Sequence, residues 1–345
     1  MATQRELARL AGVSAGTVSN VISGSAKVSE SARRKVQDAI QVLNYRPNLI
    51  ARSLKMNRTH TLGIVVPDIT IPFFPKIVRG AESAARERGY FLVVLDSQGS
   101  HDLEIDMMAL LRQRVDGILL VTAGDYKWSQ QSVTEIMAGP PVVCVDRLPV
   151  GLDSDSVCVD DFGAAELGIK HLLALGHREI AIITGPLALK NEQERLRGYK
   201  RALKSAGIDA RSSFVWSANF DKEEIEAEVR HRLERTKPRP TAIFATNGVT
   251  GIYALRSLYS MGLETPRDIA FATIDELISE DIFQPRVTCV VQPTHEIGFR
   301  AVEVLLDRIG RSGSGGPPTR VRLPASLVAR ESSRLRRGKV KNGRE

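Results

Sequence analysis

Three apolar runs of strand-like character are each followed by side chains with planar polar groups. Asp146 and Arg147 follow Val142–Val145, Asn247 follows Ala242–Ala245, and Asp275 follows Ile269–Ala272. Pro72-Phe73-Phe74 stands just beyond a fourth run, Leu62–Val66. Carboxylate, amide and guanidinium groups are multi-point hydrogen-bonding partners of the kind vicinal hydroxyls need, and an aromatic face covers the apolar side of a sugar ring. A plainer reading stays open for each: strand-end Asp and Asn often cap helices or make turns, and Phe74 fits a core.

A different chemistry stands near the N-terminus. Ala15, Gly16, Ser19 and Asn20 share one face at helical spacing, and Asn20 can pair in bidentate fashion with adenine in a major groove. Ser14, Thr17, Ser23, Lys27 and Ser29 suit phosphate contacts, which set register and affinity but carry no sequence information.

Catalytic and metal-binding patterns are missing. The chain has no Gly-x-Gly-x-x-Gly, no phosphate loop ending in Gly-Lys-Ser/Thr, no Gly-x-Ser-x-Gly and no Cys-x-x-Cys. His177 falls in Gly176-His177-Arg178 between a helix and a strand, a packing or turn position, and no histidine pair has metal-ligand spacing. Cys144, Cys158 and Cys289 are odd in number and sit in apolar surroundings, so buried reduced thiols are expected. Neither an enzyme nor a cofactor or metal protein is expected.

The elements that position these residues follow from periodicity. Thr3-Gln4-Arg5-Glu6 has capping-box spacing and opens a helix with Leu7, Leu10 and Ala11 on one face, which Gly12 ends. Ser14 caps a second helix with Val18, Val21 and Ile22 inward, and Ser29 caps a third with Val36, Ala39, Ile40 and Leu43 inward. Three short helices, the first two joined by a tight Gly-containing turn, make a helix-turn-helix unit. From Thr61 the pattern changes. Leu62–Val66, Phe91–Leu95, Gly117–Val121 and Val142–Val145 read as parallel strands buried on both faces, and Ile180–Ile183, Phe214–Trp216, Ala242–Ala245 and Ile269–Ala272 make a second set. Two βα sets predict two open-sheet α/β lobes with a ligand cleft at the carboxyl ends of the strands. A Gly/Ser/Pro stretch from Arg311 to Pro318 reads as a surface loop before a last strand, Thr319–Pro324.

Charge agrees with this division. The 345 residues carry a formal +8, yet residues 1–60 hold ten Lys/Arg against three Asp/Glu and residues 330–345 seven against two, leaving the body slightly acidic. A basic head on an acidic body fits a protein that meets phosphate through one module. No run approaches the ~20 apolar residues of a membrane span, and the first residues lack the order of a signal peptide, so a cytoplasmic protein is expected. The basic tail 333–345 is expected to be disordered.

Three runs together, Leu10–Ile22, Val28–Val36 and Leu43–Leu54, resemble the head of the LacI/GalR family of bacterial transcription regulators, and the similarity continues to about residue 332. The resemblance implies an all-α helix-turn-helix head over 1–46 and a hinge helix and linker over 47–59. It further implies a two-lobed, periplasmic-binding-protein-like α/β core over 60–332, which binds effector and dimerises. The chain would cross three times between lobes of about 60–160 with 293–325 and 161–292, Val287–Pro293 leading back to the first. Thr3, Tyr45, Asn48 and Arg52 join the DNA-contacting set, and Leu54 from two paired hinge helices wedges into the minor groove, unstacking a base step at a cost of a few kcal/mol. Arg195, in Arg195-Leu-Arg-Gly-Tyr199, becomes the effector-binding arginine, with Asp146, Asn247, Asp275 and Gln292 as hydrogen-bonding partners and Phe73 or Phe74 as the stacking face. The implied function is a homodimeric regulator, a repressor, that binds a pseudo-palindromic operator under control of a small carbohydrate. The alternatives are an activator, a purine- or phosphoprotein-responsive regulator, and a solute-binding protein, which the head and the start of the chain oppose.

Three departures from the family pattern bear on specificity. Ala15 and Gly16 stand where many members carry larger readers, shifting weight to Ser19, Asn20, methyl contacts and DNA shape. Ile71 stands where many sugar-sensing members have Asn, and Thr273-Ile274-Asp275 replaces Gly-aromatic-Asp. Arg147 beside Asp146, with Arg195 opposite, would give the pocket two cations for a carboxylate-bearing sugar such as a ketogluconate or uronate.

Overall fold

A computed structural model describes residues 3–22, 28–45, 58–124, 127–277, 284–311 and 316–335. The expected hinge helix, with Asn48, Arg52 and Leu54, lies outside them, as do Ser23, Lys27, residues 312–315 of the expected loop and residues 336–345 of the expected tail. The chain divides into two compact units, Met1–Thr59 and His60–Glu345.

In the first unit, α1 (Gln4–Ala11), α2 (Ala15–Ile22) and α3 (Glu30–Val42) start where the caps dictate. Glu6 N donates to Thr3 Oγ1 at 3.3 Å and Thr3 N to Glu6 Oε2 at 2.7 Å, the reciprocal capping box. Gly12 ends α1 at φ 63°, a conformation that favours glycine. Leu7, Val18 and Val36 are fully buried, with Ala8, Ala11, Val21 and Ala39 around them. Two expectations are corrected. Leu10 is 52% exposed, because Ala8 rather than Leu10 completes the buried stripe of α1 with Leu7 and Ala11. Tyr45, expected to face DNA, has its ring in the head core. Asn44 at φ 42° turns the chain back so that Tyr45 N donates to Ile40 O, which carries the ring inward.

In the second unit, β1 (Thr61–Val66), β2 (Phe91–Asp96), β3 (Gly117–Leu120), β4 (Val142–Val145), β5 (Asp155–Val159) and β11 (Arg320–Leu323) form a parallel sheet in the order β11-β5-β4-β3-β1-β2. A second sheet contains β6 (Ile180–Thr184), β7 (Val215–Ser217), β8 (Ala242–Ala245), β9 (Ala270–Ile274), β10 (Thr288–Val291) and β12 (Ser326–Val328), in the order β12-β10-β9-β8-β6-β7. Only β12 runs antiparallel to its neighbour. The chain therefore leaves the first sheet after β5, returns after β10, and leaves again after β11.

The helices α4 (Phe73–Glu87), α5 (His101–Leu111), α6 (Gln130–Met137) and α11 (Thr294–Gly310) pack on the first sheet. The helices α7 (Asp161–Ala174), α8 (Lys190–Ser205), α9 (Lys222–Arg235) and α10 (Gly248–Ser260) pack on the second. Crossover helices between parallel strands put the carboxyl ends of those strands on one edge of each sheet, which assembles a cleft from loops distant in sequence.

Three strands escape the periodicity argument. Asp155–Val159 mixes polar and apolar residues, Thr288–Val291 lies where a connection is expected, and Ser326–Val328 is only three residues long. The burial of β2 differs too. It was expected to be covered on both faces, but Phe91, Val93 and Val94 are 62%, 40% and 39% exposed, because β2 is the outermost strand and pairs on one side only, with β1.

The pairing of α4 with α11 depends on two glycines. A Cβ on Gly80 would lie 2.0 Å from His295 O, and a Cβ on Gly298 would lie 2.0 Å from Ile77 O, so the two helix backbones meet where neither has a side chain. This contact ties the α-helix that follows β1 to the helix that returns from the second lobe.

Candidate functional site

The loops after β1, β4, β7, β8, β9 and β10, with the first turns of α4 and α8, enclose a cavity of about 190 Å³ between the two lobes. That volume suits one sugar ring. It contains Phe73, Phe74, Asp146, Arg195, Asn247, Asp275 and Gln292, all seven residues expected to meet a ligand. Ile71 is also on the wall, where its apolar side chain can offer a ligand no hydrogen bond.

Asp146 follows β4 at φ 64° and Asp275 follows β9 at φ 72°, both in the left-handed region where Asp is tolerated better than most residues. Each backbone N–H donates to the next strand of its sheet, Asp146 N to Val157 O at 3.1 Å and Asp275 N to Val290 O at 3.0 Å. The turned backbone fixes each carboxylate towards the cleft. Burial pushes the Asp146 carboxyl above the usual carboxylate range against the pull of Arg147 and Arg195. Burial raises Asp275 likewise, with Arg195 and the Gln292 amide opposing. Asp146 Oδ2 sits 3.4 Å from Arg147 Nε, an ion pair without hydrogen-bond geometry, so Asp146 Oδ1 and Arg147 Nε are both buried and without a partner. Gln292 Nε2 donates to Asp275 Oδ1 at 2.7 Å, and its buried Oε1 has no partner either. Leaving such atoms unpaired costs about 1–3 kcal/mol each, and a hydroxyl-bearing ligand removes that cost.

Arg195 is only 3% exposed and heavily committed. Its Nε donates to Asp161 Oδ1 at 2.8 Å, its Nη1 to Glu192 Oε1 at 3.1 Å and to Thr246 O at 2.9 Å, and its Nη2 lies 2.7 Å from Asp161 Oδ1. Burial alone would lower its pKa, but the carboxylates of Asp161, Glu192, Asp275 and Asp146 outweigh that and hold the guanidinium charged. Since a guanidinium has five N–H donors, it retains one for a ligand. Arg147, paired with Asp146, also stacks over Phe74 and Phe220 at 5.8 and 5.9 Å from their ring centroids. These partners correct the expectation of two available cations for a sugar carboxylate: within the cleft both guanidinium charges are already neutralised by acidic side chains.

Asn247 fulfils the plainer reading and lines the cavity as well. Its Oδ1 caps α10 by accepting from Thr250 N at 2.9 Å, and its Nδ2 donates to Glu192 Oε1 at 3.2 Å. Phe74 is 2% exposed and packed in the first-lobe core, with Phe73 edge-on to it at 5.3 Å and 82°. Phe73 is thus the ring more open to the cleft. Sequence reading missed Phe220, a second aromatic wall from the opposite lobe, and the acidic residues Asp161 and Glu192 that hold Arg195. The one available signal for Phe220 was an aromatic residue shortly after the Phe214–Trp216 run. Lys76 and Glu276, one from each lobe, stand 3.8 Å apart at the rim.

In the head, the outward face of α2 has Ala15, Gly16 and Asn20 exposed and Thr17 and Ser19 half-buried, while Val18 and Val21 face inward. Ser14 caps the helix, its Oγ 3.0 Å from Thr17 N and 2.9 Å from Thr17 Oγ1. A Cβ on Gly16 would meet only Ser14 Oγ at 3.5 Å, so packing within the head does not require glycine there. Ser29 caps α3 by accepting from Ala32 N, and Thr3 is held in its capping box.

Comparison with known proteins matches both units. Residues 3–48 fit the family described as bacterial regulatory proteins, lacI family, and residues 169–333 fit the periplasmic binding protein-like domain. The ribose operon repressor of Escherichia coli (strain K12) is 36% identical over 310 residues, spanning 90% of this chain and 93% of the relative. The chain belongs to the LacI family. This LacI-family chain is therefore a DNA-binding transcription regulator and not an enzyme. Among solved structures, the transcriptional regulator CelR in complex with cellobiose is 33% identical, covering 96% of this chain and all of that one, with a TM-score of 0.71. The lac repressor dimer bound to operator and the anti-inducer ONPF is 26% identical, covering 97% and 99%, with a TM-score of 0.80.

Proposed function

We propose that the chain is a homodimeric repressor whose operator binding is controlled by a small polyhydroxylated effector held between the two lobes. The observation that carries the effector reading is the set of buried, unpartnered polar atoms in the cleft, Asp146 Oδ1, Arg147 Nε and Gln292 Oε1, beside the open ring of Phe73. Such a set asks for hydroxyls and an apolar ring face. Relatives named for ribose, cellobiose and the lac operator support it. Arg195, Asn247 and Asp275 supply the remaining contacts.

On the DNA side, Ser19 and Asn20 read base edges, Ala15 and Gly16 allow close backbone approach, and Ser14, Thr17, Ser23, Lys27, Ser29, Thr3, Asn48 and Arg52 position the head on phosphates. Leu54 wedges at the operator centre. The domains are a head over 1–46, a hinge over 47–59, a core over 60–332 and a basic tail over 333–345. The protein works in the cytoplasm at the nucleoid. A second copy covers the exposed apolar residues of β2, Phe91, Val93 and Val94, since an unpaired apolar edge strand is otherwise an aggregation liability. Because the hinges must meet to fold, rotation of the first lobes on effector binding separates them and weakens operator affinity.

The test is operator binding by fluorescence anisotropy with wild type and Leu54→Ala, together with calorimetry against a sugar panel. Leu54→Ala weakens specific binding at least tenfold and leaves sugar binding intact; equal operator affinity for the two proteins overturns the hinge role. Absence of binding to every sugar overturns the effector reading.

A further inference from the structure

Glu192 lies in the wall of the cleft, on the first turn of α8, and is fully buried. Each of its carboxylate oxygens accepts two hydrogen bonds. Oε1 accepts from Arg195 Nη1 at 3.1 Å and Asn247 Nδ2 at 3.2 Å, and Oε2 accepts from Gly185 N at 3.1 Å and Thr246 Oγ1 at 2.5 Å. Donors from α8 itself, from the end of β6 and from the turn after β8 therefore meet on one anion. The approach is close: a Cβ on Gly185 would lie 3.2 Å from Glu192 Cδ and 2.4 Å from Phe220 Cε1, so bare backbone there lets the carboxylate and the aromatic wall sit side by side. Burying a carboxylate is costly unless its lone pairs are met, and here they are. Glu192 has no acceptor capacity left for a ligand. It acts on one through its charge and through the groups it holds.

Chief among those groups is Arg195. Its Nε is taken by Asp161 and its Nη1 by Glu192 and Thr246 O, while Nη2 lies against Asp161. A carboxylate or phosphate is gripped by parallel N–H groups from two guanidinium nitrogens, and neither such pair is open on Arg195. A hydroxyl needs one donor only. The balance of charge points the same way. Arg147 is matched by Asp146, Lys76 by Glu276 and Arg195 by Glu192, which leaves Asp275 in excess on the wall. Burial pushes the Asp161 carboxyl up to about 7 against the pull of Arg195, so its counter-charge fades near neutral pH and the load falls on Glu192.

We infer that Glu192 sets the charge selectivity of the cleft: it occupies the place on Arg195 that a ligand anion would take, and so restricts the site to uncharged polyhydroxylated rings. This deepens the sugar-effector reading above and rests on it. Glu192 is a positioning residue, holding Arg195 and Asn247 towards the ligand while its negative charge turns anions away.

The experiment is calorimetry on the full chain with matched pairs: glucose and glucuronate, galactose and galacturonate, ribose and ribose 5-phosphate. In wild type the neutral member of a pair should bind about tenfold or more tighter than the anionic one, and Glu192→Gln should reduce that ratio by about tenfold or more. Glu192→Asp keeps the charge on a shorter arm and should leave the ratio within about threefold of wild type. A general loss of fit weakens both members of a pair and cancels in the ratio, so a merely structural role would not move it. Glu223→Gln makes the same charge change at a side chain that is 75% exposed and controls for a general field effect. If Glu192→Gln does not fold, Glu192→Ala removes the charge without setting an amide among four donors, and the same fall is expected. An anionic sugar that binds wild type as well as its neutral parent overturns this inference and leaves the sugar reading standing. So does a ratio unmoved by loss of the Glu192 charge, or moved equally by Glu192→Asp or by Glu223→Gln. Binding by no member of the panel overturns both.

Discussion

Asp146 and Asp275 occupy equivalent places in the two lobes, each directly after a central strand, each at positive φ, and each with its backbone N–H on the carbonyl of the neighbouring strand. The first lobe's carboxylate has a free oxygen, Oδ1, whereas the second lobe's is tied through Oδ1 to Gln292. One fold device, used twice, therefore offers a ligand two acceptors from opposite sides of one cavity. Asp275→Asn and Asp146→Asn should each weaken effector binding by about 10–100-fold, the equivalent of losing a hydrogen bond to a charged group. Calorimetry measures it, and an unchanged affinity for either variant removes that residue from the site.

Arg195→Ala should cost stability as well as response. The guanidinium compensates Asp161 and Glu192, both buried, and removing one partner of such a network costs about 3–5 kcal/mol. Arg195→Lys should restore little, since one ammonium cannot reach Asp161, Glu192 and Thr246 O together. A denaturation series in urea checks both variants; wild-type stability for Arg195→Ala contradicts the network.

Phe220→Ala should lower effector affinity by about 10–100-fold, the worth of apolar area of one aromatic face against a sugar ring. Phe220 is half-buried and lies outside the packed cores of the lobes, so the melting temperature should move little. A large drop in melting temperature would make Phe220 a structural residue instead.

Gly80→Ala and Gly298→Ala should each destabilise the core by about 3 kcal/mol or more, beyond ordinary overpacking, because the added methyl meets backbone carbonyl oxygen at 2.0 Å and not a side chain that can rotate away. Thermal melts of the two variants test this, and near-wild-type values would show that α4 and α11 can separate freely.

The C-terminal segment should loosen in acid. His177 Nε2 lies 3.0 Å from Ser333 O and His171 Nε2 lies 2.8 Å from Ser333 Oγ. Burial depresses the pKa of both histidines below the usual value. The unfolded chain then takes up protons at a higher pH than the folded one, so stability is complete above the unfolded value of about 6.5 and is lost as pH falls through and below it. Hydrogen exchange around Ser332 and Ser333 between pH 7.5 and 5.5 should rise in wild type and change less in His177→Gln.

The head was almost fully legible in the sequence. Capping, helix period and Gly12 are local effects, acting over three or four residues, and the sequence states them directly. Tyr45 was misplaced because the turn at Asn44, which carries the ring inward, has no strong local signature. In the core, long apolar runs announced eight of the strands, while β5, β10 and β12 acquire their extended form from neighbours already in the sheet.

By itself the sequence determined the order of elements, the two sets of strands, the family and the positions of Asp146, Asn247, Asp275 and the aromatic pair just after strands. Only the tertiary structure decided what those residues do. Asn247 is a cap as well as a wall, Phe74 is core while Phe73 is open, and Arg195 is neutralised by acids 34 and 3 residues away. Burial and pairing determine whether a charge is available to a ligand. Both depend on contacts between distant segments, which no window of sequence contains.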